Sequence, residues 1–318
     1  MKQLIAITGG TGFIGQAICR QLLTQDCSLR VLVRDRRKLP LDLQAAELVQ
    51  GDLADRDSLQ QLVEGVDAVI HCAGNVRGAT QSAFDRVNVD GSRNLLHAVK
   101  ATGTTTTRLL SISSLAAREP QLSYYAASKR RAEQLLMNEG DGITWTILRP
   151  PAVYGPGDRE LLPLFRLMAR GIAVTAGSPL ARFSMIYVED LVSATLAWLQ
   201  GSAGKEKIYT LDDGQVNGYD WHDISRIVGE ICDRKVRVVQ ASPWLFDLPA
   251  WINSRFASLS GRAPMLTPQK LRELRHHDWV CNSADFQRDV DWHPQFLLAD
   301  GLKATPGWPG HHPEQATP

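Results

Sequence analysis

A glycine-rich turn near the start of the chain, residues 8–15 (TGGTGFIG), constrains the fold most. It follows a run of β-forming residues at 2–8 and opens a stretch at 13–24 in which apolar residues recur at helical spacing. Glycine at three positions allows a tight turn, a close approach of the backbone to an anion, and close packing of the helix on the strand. These positions are Gly9, Gly12 and Gly15. Free N–H groups at the helix start then predict a pyrophosphate site, with Phe13 and Ile14 as further contacts.

Strand-like and helix-like segments alternate from this turn as far as residue 148. The alternation predicts an α/β fold in which a parallel sheet carries helices on both faces, joined by right-handed crossovers. Residues 149–151 (RPP) end the pattern, because proline cannot donate to a sheet and disfavours helix in the residue before it. We therefore predict a Rossmann-type doubly wound sheet at 1–150 that binds the cofactor. A smaller, mainly substrate-binding lobe follows at 151–305, with some segments returning to the sheet, and a flexible tail at 306–318.

The composition of the 318 residues excludes several classes of protein. A hydrophobic fraction of 44% and a charged fraction of 22% are typical of a globular protein with a substantial core. The formal net charge is +1 and the basic residues are scattered, apart from a short run at 34–38, which argues against a nucleic-acid partner. No stretch approaches the roughly 18 uninterrupted apolar residues of a membrane helix, and because a strand and glycine turn follow the first residue directly, no signal peptide is expected.

The cysteines indicate the compartment. None of the five falls in a metal-ligand spacing: Cys19, Cys27, Cys72, Cys232 and Cys281. Free thiols of this kind predict a cytoplasmic protein.

The adjacent histidines at 276–277 would point about 100° apart on a helix, so no metal site is predicted. The oligomeric state stays open, a homodimer included.

A basic residue follows the second predicted strand, where dinucleotide-binding folds commonly place an acid that holds the ribose 2′-hydroxyl. Arg34 in that position suits a 2′-phosphate through bidentate contact, so NADP is the predicted cofactor and NAD the alternative. Asp35 is adjacent, and a solvated basic turn is the other interpretation. Further on, Asp52 and Leu53 are predicted to border the adenine, although Asp52 would equally suit a helix cap or a turn.

The most specific chemical feature is the segment 125–129 (YAASK). A spacing of four residues places Tyr125 and Lys129 on one helix face, where the ammonium stabilises a tyrosinate and lowers the pKa of the phenol. Such a tyrosine can act as a general acid or base. Upstream, the segment 111–114 (SISS) ends a strand at the carboxyl edge of the sheet, where a serine hydroxyl can hold a substrate oxygen. Tyr124 is the rival tyrosine, but its partner four residues on is an uncharged serine.

Together with 71–74 (HCAG) and 148–158 (LRPPAVYGPGD), these motifs resemble the extended short-chain dehydrogenases/reductases of the NAD(P)-dependent epimerase/dehydratase type. The resemblance spans roughly residues 2–300. It implies that Tyr125 is the catalytic tyrosine, that Lys129 binds the nicotinamide ribose, and that the third catalytic residue is Ser114, with Ser113 close behind. The resemblance also implies cofactor or active-site contacts by four further residues: Ala73, Gly74, Asn88 and Val153.

The sequence departs from the sugar-nucleotide epimerases of this family in the loop between the serine strand and the tyrosine. The Tyr-Gly dipeptide usual there is replaced by residues 115–120 (LAAREP), and Tyr125 follows Ser114 by only eleven positions. The chain resembles more closely the atypical branch that includes steroid and flavonoid reductases and a complex I accessory subunit. The predicted function is therefore hydride transfer between a nicotinamide and a carbonyl or secondary alcohol. A sugar-nucleotide epimerase or dehydratase, and a non-catalytic cofactor-binding subunit, are the alternatives.

Aromatic residues crowd a proline-broken segment at 243–267, in a chain that is only 7% aromatic. They are Trp244, Phe246, Trp251 and Phe256. Binding pockets are lined mainly by hydrophobic and aromatic side chains, so the segment predicts a lid over the substrate site and a substrate that is at least partly apolar. Packing in the core and an amphipathic surface helix, interrupted by Pro249, are the alternatives.

Overall fold

A parallel sheet dominates the first part of the chain in a computed structural model, which describes residues 2–102, 106–201, 205–242, 244–247 and 267–315. The strands in these residues are β1 (Gln3–Thr8), β2 (Cys27–Val33), β3 (Glu47–Gln50), β4 (Ala68–His71), β5 (Arg108–Ile112), β6 (Thr144–Arg149), β7 (Ala152–Tyr154), β8 (Ile172–Thr175), β9 (Arg182–Phe183), β10 (Met185–Tyr187), β11 (Lys207–Thr210), β12 (Arg237–Gln240) and β13 (Asp278–Trp279). The helices are α1 (Phe13–Leu23), α2 (Arg56–Val63), α3 (Gln81–Asp85), α4 (Gly91–Thr102), α5 (Tyr124–Glu139), α6 (Leu162–Met168), α7 (Val188–Gln200), α8 (Trp221–Ile231), α9 (Pro268–Arg275), α10 (Ala284–Val290) and α11 (Leu298–Ala304).

Seven strands form one sheet in the order β11-β6-β5-β4-β1-β2-β3, and every pair from β6 to β3 is parallel. The central strands are apolar because both faces of the sheet are covered, and all four residues of β4 are buried. The strand order reverses between β1 and β4. Doubly wound folds bind their ligands at the carboxyl ends of the strands beside such a reversal. The predicted α/β fold class is confirmed.

Packing divides the chain into two units. The first consists of Met1–Arg149, Thr195–Tyr209 and Asp289–Asp291, and the second of Pro150–Ala194, Thr210–Arg288 and Trp292–Pro318. In the first unit, α2 and α4 present leucines at helical spacing to the core, and these leucines are at most 1% exposed. They are Leu59, Leu62, Leu95 and Leu96. Within the described residues, no helix is both long enough and apolar enough to cross a membrane.

The second unit contains three parallel ladders of two strands each, β7 with β10, β8 with β12, and β9 with β13. Its core is aromatic. Tyr154 packs between Phe165 of α6 and Tyr187 of β10, with ring centroids 6.3 Å and 5.5 Å away. Of the predicted aromatic segment, Trp244 is 63% exposed, whereas residues 248–266 lie outside the described part of the chain.

The end of the chain differs from the flexible tail that its proline and glycine content predicts. Trp308 is only 6% exposed, its indole Nε1 donates to the carbonyl of Leu302 at 3.0 Å, and its ring lies 6.1 Å from that of Phe165. Burial of a large aromatic side chain stabilises the segment enough to outweigh its loop-forming composition. Residues 306–315 are therefore packed on the second unit, and 316–318 lie outside the described residues.

The helical segment between β4 and β5 is not α-helical throughout. Between α3 and α4 the chain makes a π-helical turn at Arg86–Asp90. A π turn inserts one residue into the helical repeat and so rotates the side chains that follow, and such turns are frequent at functional sites. Asn88 lies in this turn and is 2% exposed.

Candidate active site

The glycine turn between β1 and α1 leaves no space for side chains. Gly9 has φ +79°, and a Cβ atom there would lie 2.6 Å from the backbone nitrogen of Ala73. A Cβ atom on Gly15 would collide with the carbonyl oxygen of Gly9, to which Gly12 donates its N–H at 2.9 Å. The turn therefore lies against the end of β4, and Ala73 belongs to the same surface as the glycines.

The start of α1 has the donors that a pyrophosphate needs. Its N-cap residue is Gly12, which provides no side-chain hydrogen bond, whereas Asp55 caps α2 and Ser123 caps α5 through their side chains. No capping side chain accepts hydrogen bonds from the first N–H groups of α1, and the glycines leave these groups accessible. This geometry fits a dinucleotide, which Gly9, Gly12, Phe13, Ile14 and Gly15 would hold.

In the basic turn after β2, the two arginines Arg34 and Arg37 differ in their partners. Asp35 accepts from Nε and Nη2 of Arg37, both at 3.0 Å, and also from the backbone N–H of Arg37. The pKa of Asp35 is lowered, mainly by the hydrogen bond from the Arg37 side chain. Arg34 is exposed and forms no ion pair with any of the residues that the structure describes. The neighbouring carboxylate is therefore paired with Arg37 and not with Arg34. A contact of Arg34 with a 2′-phosphate stays a prediction.

Asp52 and Leu53, which are predicted to border the adenine, make local contacts in the structure. Asp52 accepts from the backbone N–H of Ala54 at 2.7 Å, which makes it a turn residue, and the cap of α2 is Asp55 instead. The backbone carbonyl of Leu53 accepts from the side chain of Asn94 at 2.9 Å, and its side chain packs on Gly91. A contact of either residue with adenine stays a prediction.

Lys129 is anchored at the carboxyl end of the sheet. It is 8% exposed, and its Nζ donates to the carbonyl of Ile112, the last residue of β5, at 3.0 Å. A Cβ atom on Gly74 would lie 3.2 Å from Lys129 Nζ and 3.4 Å from Oδ1 of Asn88, so both polar groups face the Gly74 backbone. Burial lowers the pKa of Lys129 to about 8, although Cys72 and Glu133 act in the opposite direction.

Tyr125 lies one turn before Lys129 on α5, as the spacing predicts. Its ring packs near Phe84, with centroids 6.2 Å apart, and its backbone carbonyl accepts from the hydroxyl of Ser128 at 2.7 Å. Asn88 donates to that same hydroxyl at 2.8 Å and also bonds the N–H and carbonyl of Asn75. Asn88 therefore joins the π turn to the helix that carries Tyr125.

The two adjacent serines after β5 have different surroundings. Ser113 is 7% exposed and donates to Oε1 of Glu133 at 2.6 Å. Ser114 is partly exposed and accepts from the N–H of Ala116 at 3.2 Å, which leaves its hydroxyl proton for another acceptor. This difference favours Ser114 over Ser113 as a group that orients a substrate oxygen.

His71, which the sequence motifs do not mark as a functional residue, links β4 to β1 and to α4 through hydrogen bonds of its ring. Its Nδ1 lies 2.7 Å from Oγ1 of Thr8 and its Nε2 lies 2.9 Å from Oγ of Ser92. Ser92 gives its own proton to the carbonyl of Asn88 at 2.6 Å, so the ring must donate from Nε2 and accept at Nδ1. Burial lowers the pKa of His71 to about 3, with a smaller effect of Lys129, which agrees with a neutral ring. The available signal was a polar residue at the end of the otherwise apolar strand β4.

Most of the predicted site residues lie together in the first unit: the glycine turn, Ala73, Gly74, Asn88, Ser114, Tyr125 and Lys129. Val153 belongs to the second unit, where it pairs with Ile186 between β7 and β10 and is partly buried. Its contact with the cofactor stays a prediction.

Comparison with known proteins gives a consistent result. The model of the NAD dependent epimerase/dehydratase family matches residues 5–211. The ceramide reductase of Caulobacter vibrioides is 37% identical over 310 residues, covering 96% of this chain and 94% of that protein. A 3 beta-hydroxysteroid dehydrogenase/Delta 5-->4-isomerase of Mycobacterium tuberculosis is 27% identical over 336 residues, covering 94% and 88%. The structure of UDP-glucose 4-epimerase from Thermotoga maritima with UDP-glucose aligns with a TM-score of 0.72 at 20% identity, covering 95% of this chain and 97% of that one, which shows the shared fold.

The parallel sheet, the glycine turn and the relatives together define an oxidoreductase that uses a nicotinamide cofactor. The chain belongs to the NAD dependent epimerase/dehydratase family, as an enzyme of the extended short-chain dehydrogenase/reductase type. The predicted family and the predicted oxidoreductase function are confirmed.

Proposed function

We propose that this enzyme uses NADPH to reduce a ketone on a long-chain, apolar substrate, and that it also catalyses the reverse oxidation of the secondary alcohol. The observation that carries the catalytic part is Lys129, buried and bonded to the carbonyl of Ile112, one helical turn after Tyr125. The substrate class is supported by the relatives that act on a ceramide and on a hydroxysteroid, both of them lipids. Ceramide is the nearer model, because that relative matches at higher identity over nearly the whole chain.

Each side chain has a separate task in this proposal. The bound nicotinamide supplies the hydride to the carbonyl carbon, or accepts it in the reverse direction. Tyr125 gives its hydroxyl proton to the carbonyl oxygen as the carbon–oxygen double bond becomes a single bond. Lys129 stabilises the tyrosinate that remains by its positive charge, and its position at Gly74 and Asn88 suits contact with the nicotinamide ribose. Ser114 orients the carbonyl oxygen with its hydroxyl proton.

The remaining assignments are parts of the same proposal. Arg34 holds the 2′-phosphate and makes NADP the preferred cofactor, because Asp35 is occupied by Arg37. The chain after Pro150 provides most of the substrate recognition, and the aromatic segment at 243–267 suits an apolar chain. All five cysteines are free thiols, which favours a reducing compartment such as the cytoplasm.

The first test follows NADPH oxidation by the purified protein with three substrates. These are a ceramide with one hydroxyl carbon oxidised to a ketone, a 3-ketosteroid, and UDP-glucose. We expect turnover with the long-chain ketone. Tyr125→Phe should lower kcat by a factor on the order of 100 or more and leave the Kd for NADPH nearly unchanged, since only the proton donor is lost.

Tyr124→Phe is the matched control on the same helix and should retain activity. If Tyr124→Phe were the damaging change, the tyrosine would be wrongly assigned. Interconversion of the UDP-sugar without net NADPH consumption would instead support an epimerase. Cofactor binding without turnover of any of these substrates would support a non-catalytic subunit.

A further inference from the structure

A buried carboxylate lies directly behind the proposed catalytic pair. Glu133 follows Lys129 by four residues on α5, so Tyr125, Lys129 and Glu133 lie along one helix face at successive turns. Its side chain is 2% exposed, which is rare for a glutamate unless both oxygens are paired. A group of this kind has to be held by specific partners.

Glu133 has three partners. Oε1 accepts from the hydroxyl of Ser113 at 2.6 Å and from Nε of Arg149 at 2.8 Å. Oε2 accepts from Nη2 of Arg149 at 2.5 Å and lies 3.5 Å from Nη1 of Arg130. The pair with Arg149 is bidentate, a geometry that fixes orientation as well as distance.

These partners place the carboxylate at the same sheet edge as the ammonium of Lys129. Ser113 immediately follows β5, and Arg149 is the last residue of β6. Lys129 bonds the carbonyl of Ile112, the residue before Ser113. Two successive turns of α5 are therefore fixed to two successive residues at the end of β5, and Arg149 joins this connection to the neighbouring strand.

We infer that Glu133, held by Ser113 and Arg149, is a positioning residue that keeps Lys129 and the turn bearing Tyr125 in their catalytic place on the end of β5. The inference rests on the proposed function of Tyr125 and Lys129. It also explains why two serines follow β5: Ser113 holds the helix, and Ser114 is left for the substrate.

Glu133 also contributes charge to the site. The titratable groups that act on Lys129 are Cys72, just after β4, and Glu133 on α5; Lys129 acts in turn on His71 at the end of β4, and Arg149 on β6 pairs with Glu133. Among them His71 is neutral, and Glu133 raises the pKa of Lys129 against the lowering effect of burial. Loss of the negative charge should therefore lower the pKa of any nearby titrating group, whether it is the ammonium or the phenol.

Three variants of the full-length protein separate charge from geometry. Glu133→Gln keeps the size and removes the charge. Glu133→Asp keeps the charge and withdraws it by one methylene. Glu139→Gln makes the same chemical change at the partly exposed end of the same helix, where Glu139 pairs with Arg93 and His97. The measurements are kcat, KM for the ketone, the pH profile of kcat/KM, and the titration of the Lys129 ammonium followed by NMR of isotopically labelled lysine, with Lys129→Arg for assignment.

For Glu133→Gln we expect kcat to fall on the order of tenfold to a hundredfold with a smaller change in KM. Its pH profile and the lysine titration should both shift to lower pH. Glu133→Asp should lose kcat without that pH shift, and Glu139→Gln should behave as the wild type. A folded Glu133→Gln variant with unchanged kcat and unchanged lysine titration would overturn the inference, and so would wild-type kcat in Glu133→Asp.

The design distinguishes this inference from the function on which it rests. If Tyr125→Phe keeps full activity, the proposed function fails, whereas the lysine titration still tests Glu133 without any turnover. If Glu133→Gln does not fold, Glu133→Asp decides the matter, because it keeps a carboxylate opposite Arg149 and leaves no partly buried arginine uncompensated.

Discussion

Within this site, the partners of a residue in the protein indicate whether its side chain is available to a ligand. Arg34 and Arg37 have the same chemistry, are both exposed and lie three positions apart, yet Arg37 is bound to Asp35 at two atoms, whereas Arg34 forms no ion pair with any described residue. Ser113 and Ser114 are likewise adjacent, and only Ser113 is committed to a buried carboxylate. In both pairs the residue without a protein anion as partner is the one that can serve a ligand.

Arg34 provides a test of cofactor choice at this scale. Arg34→Ala should weaken NADPH binding by about 1 to 3 kcal/mol, the value of a charge-assisted hydrogen-bonded pair, and leave NADH binding unchanged. Arg37→Ala is the matched control and should affect the two cofactors alike, because Arg37 pairs with Asp35. Titration of both cofactors into the wild type and the two variants by calorimetry gives the six affinities. Equal losses for NADPH and NADH in Arg34→Ala would argue that Arg34 belongs to a solvated turn.

At the scale of elements, the turn from β1 to α1 combines backbone strain with close packing. Gly9 and Gly142 have nearly the same dihedral, φ +79° and +81°, but a Cβ atom on Gly142 would meet nothing within 4 Å, and one on Gly9 would collide with the backbone at Ala73. Gly142→Ala should therefore cost about 1 kcal/mol, the strain of a left-handed alanine. Gly9→Ala should cost more and should abolish cofactor binding, because the glycine turn has to shift away from β4.

Chemical denaturation and cofactor titration of the two alanine variants check this prediction. Both substitutions place an alanine at nearly the same positive φ, so the difference in unfolding free energy reports mainly the collision. Equal destabilisation with intact cofactor binding in Gly9→Ala would show that the turn can relax.

The elements also show what the sequence could and could not predict. Strands and helices of the sheet follow from periodicity, and Tyr125 and Lys129 follow from their spacing, because these signals are local. The π turn at Asn88 has no local signal, since it depends on bonds from Asn88 to Asn75 and Ser128. Glu133 and Arg149 were missed for the same reason: their pairing joins α5 to β6 and needs the fold to be known.

At the scale of the whole molecule, the two units respond to acid in opposite directions. In the first unit, burial lowers the pKa of His71 to about 3, so the unfolded chain takes up this proton below about pH 6.5 and the folded one does not. This stability is fully present above the unfolded pKa and is lost as the pH falls, by about 2 kcal/mol between pH 7 and pH 5. In the second unit, burial raises the pKa of Asp190 and of Asp213 to about 6. The folded state then binds protons first, and each residue adds stability on the order of 1 kcal/mol as the pH falls from 7 to 5.

These contributions have opposite signs and so partly cancel in the global free energy of unfolding between pH 7 and pH 5, while local stability diverges. Amide hydrogen exchange, corrected for its intrinsic pH dependence, should show less protection in β1 and β4 at pH 5 and more protection around β10 and in the part of α7 up to Ala194, which belongs to the second unit. His71→Gln should remove the effect in the first unit only. Asp213→Asn should reduce it in the second, because the amide oxygen of the new side chain can still accept from the hydroxyl of Tyr219, as Asp213 does at 2.6 Å, but no longer titrates. Parallel changes in the two units would contradict the opposite signs of these shifts and would place the controlling groups elsewhere in the protein.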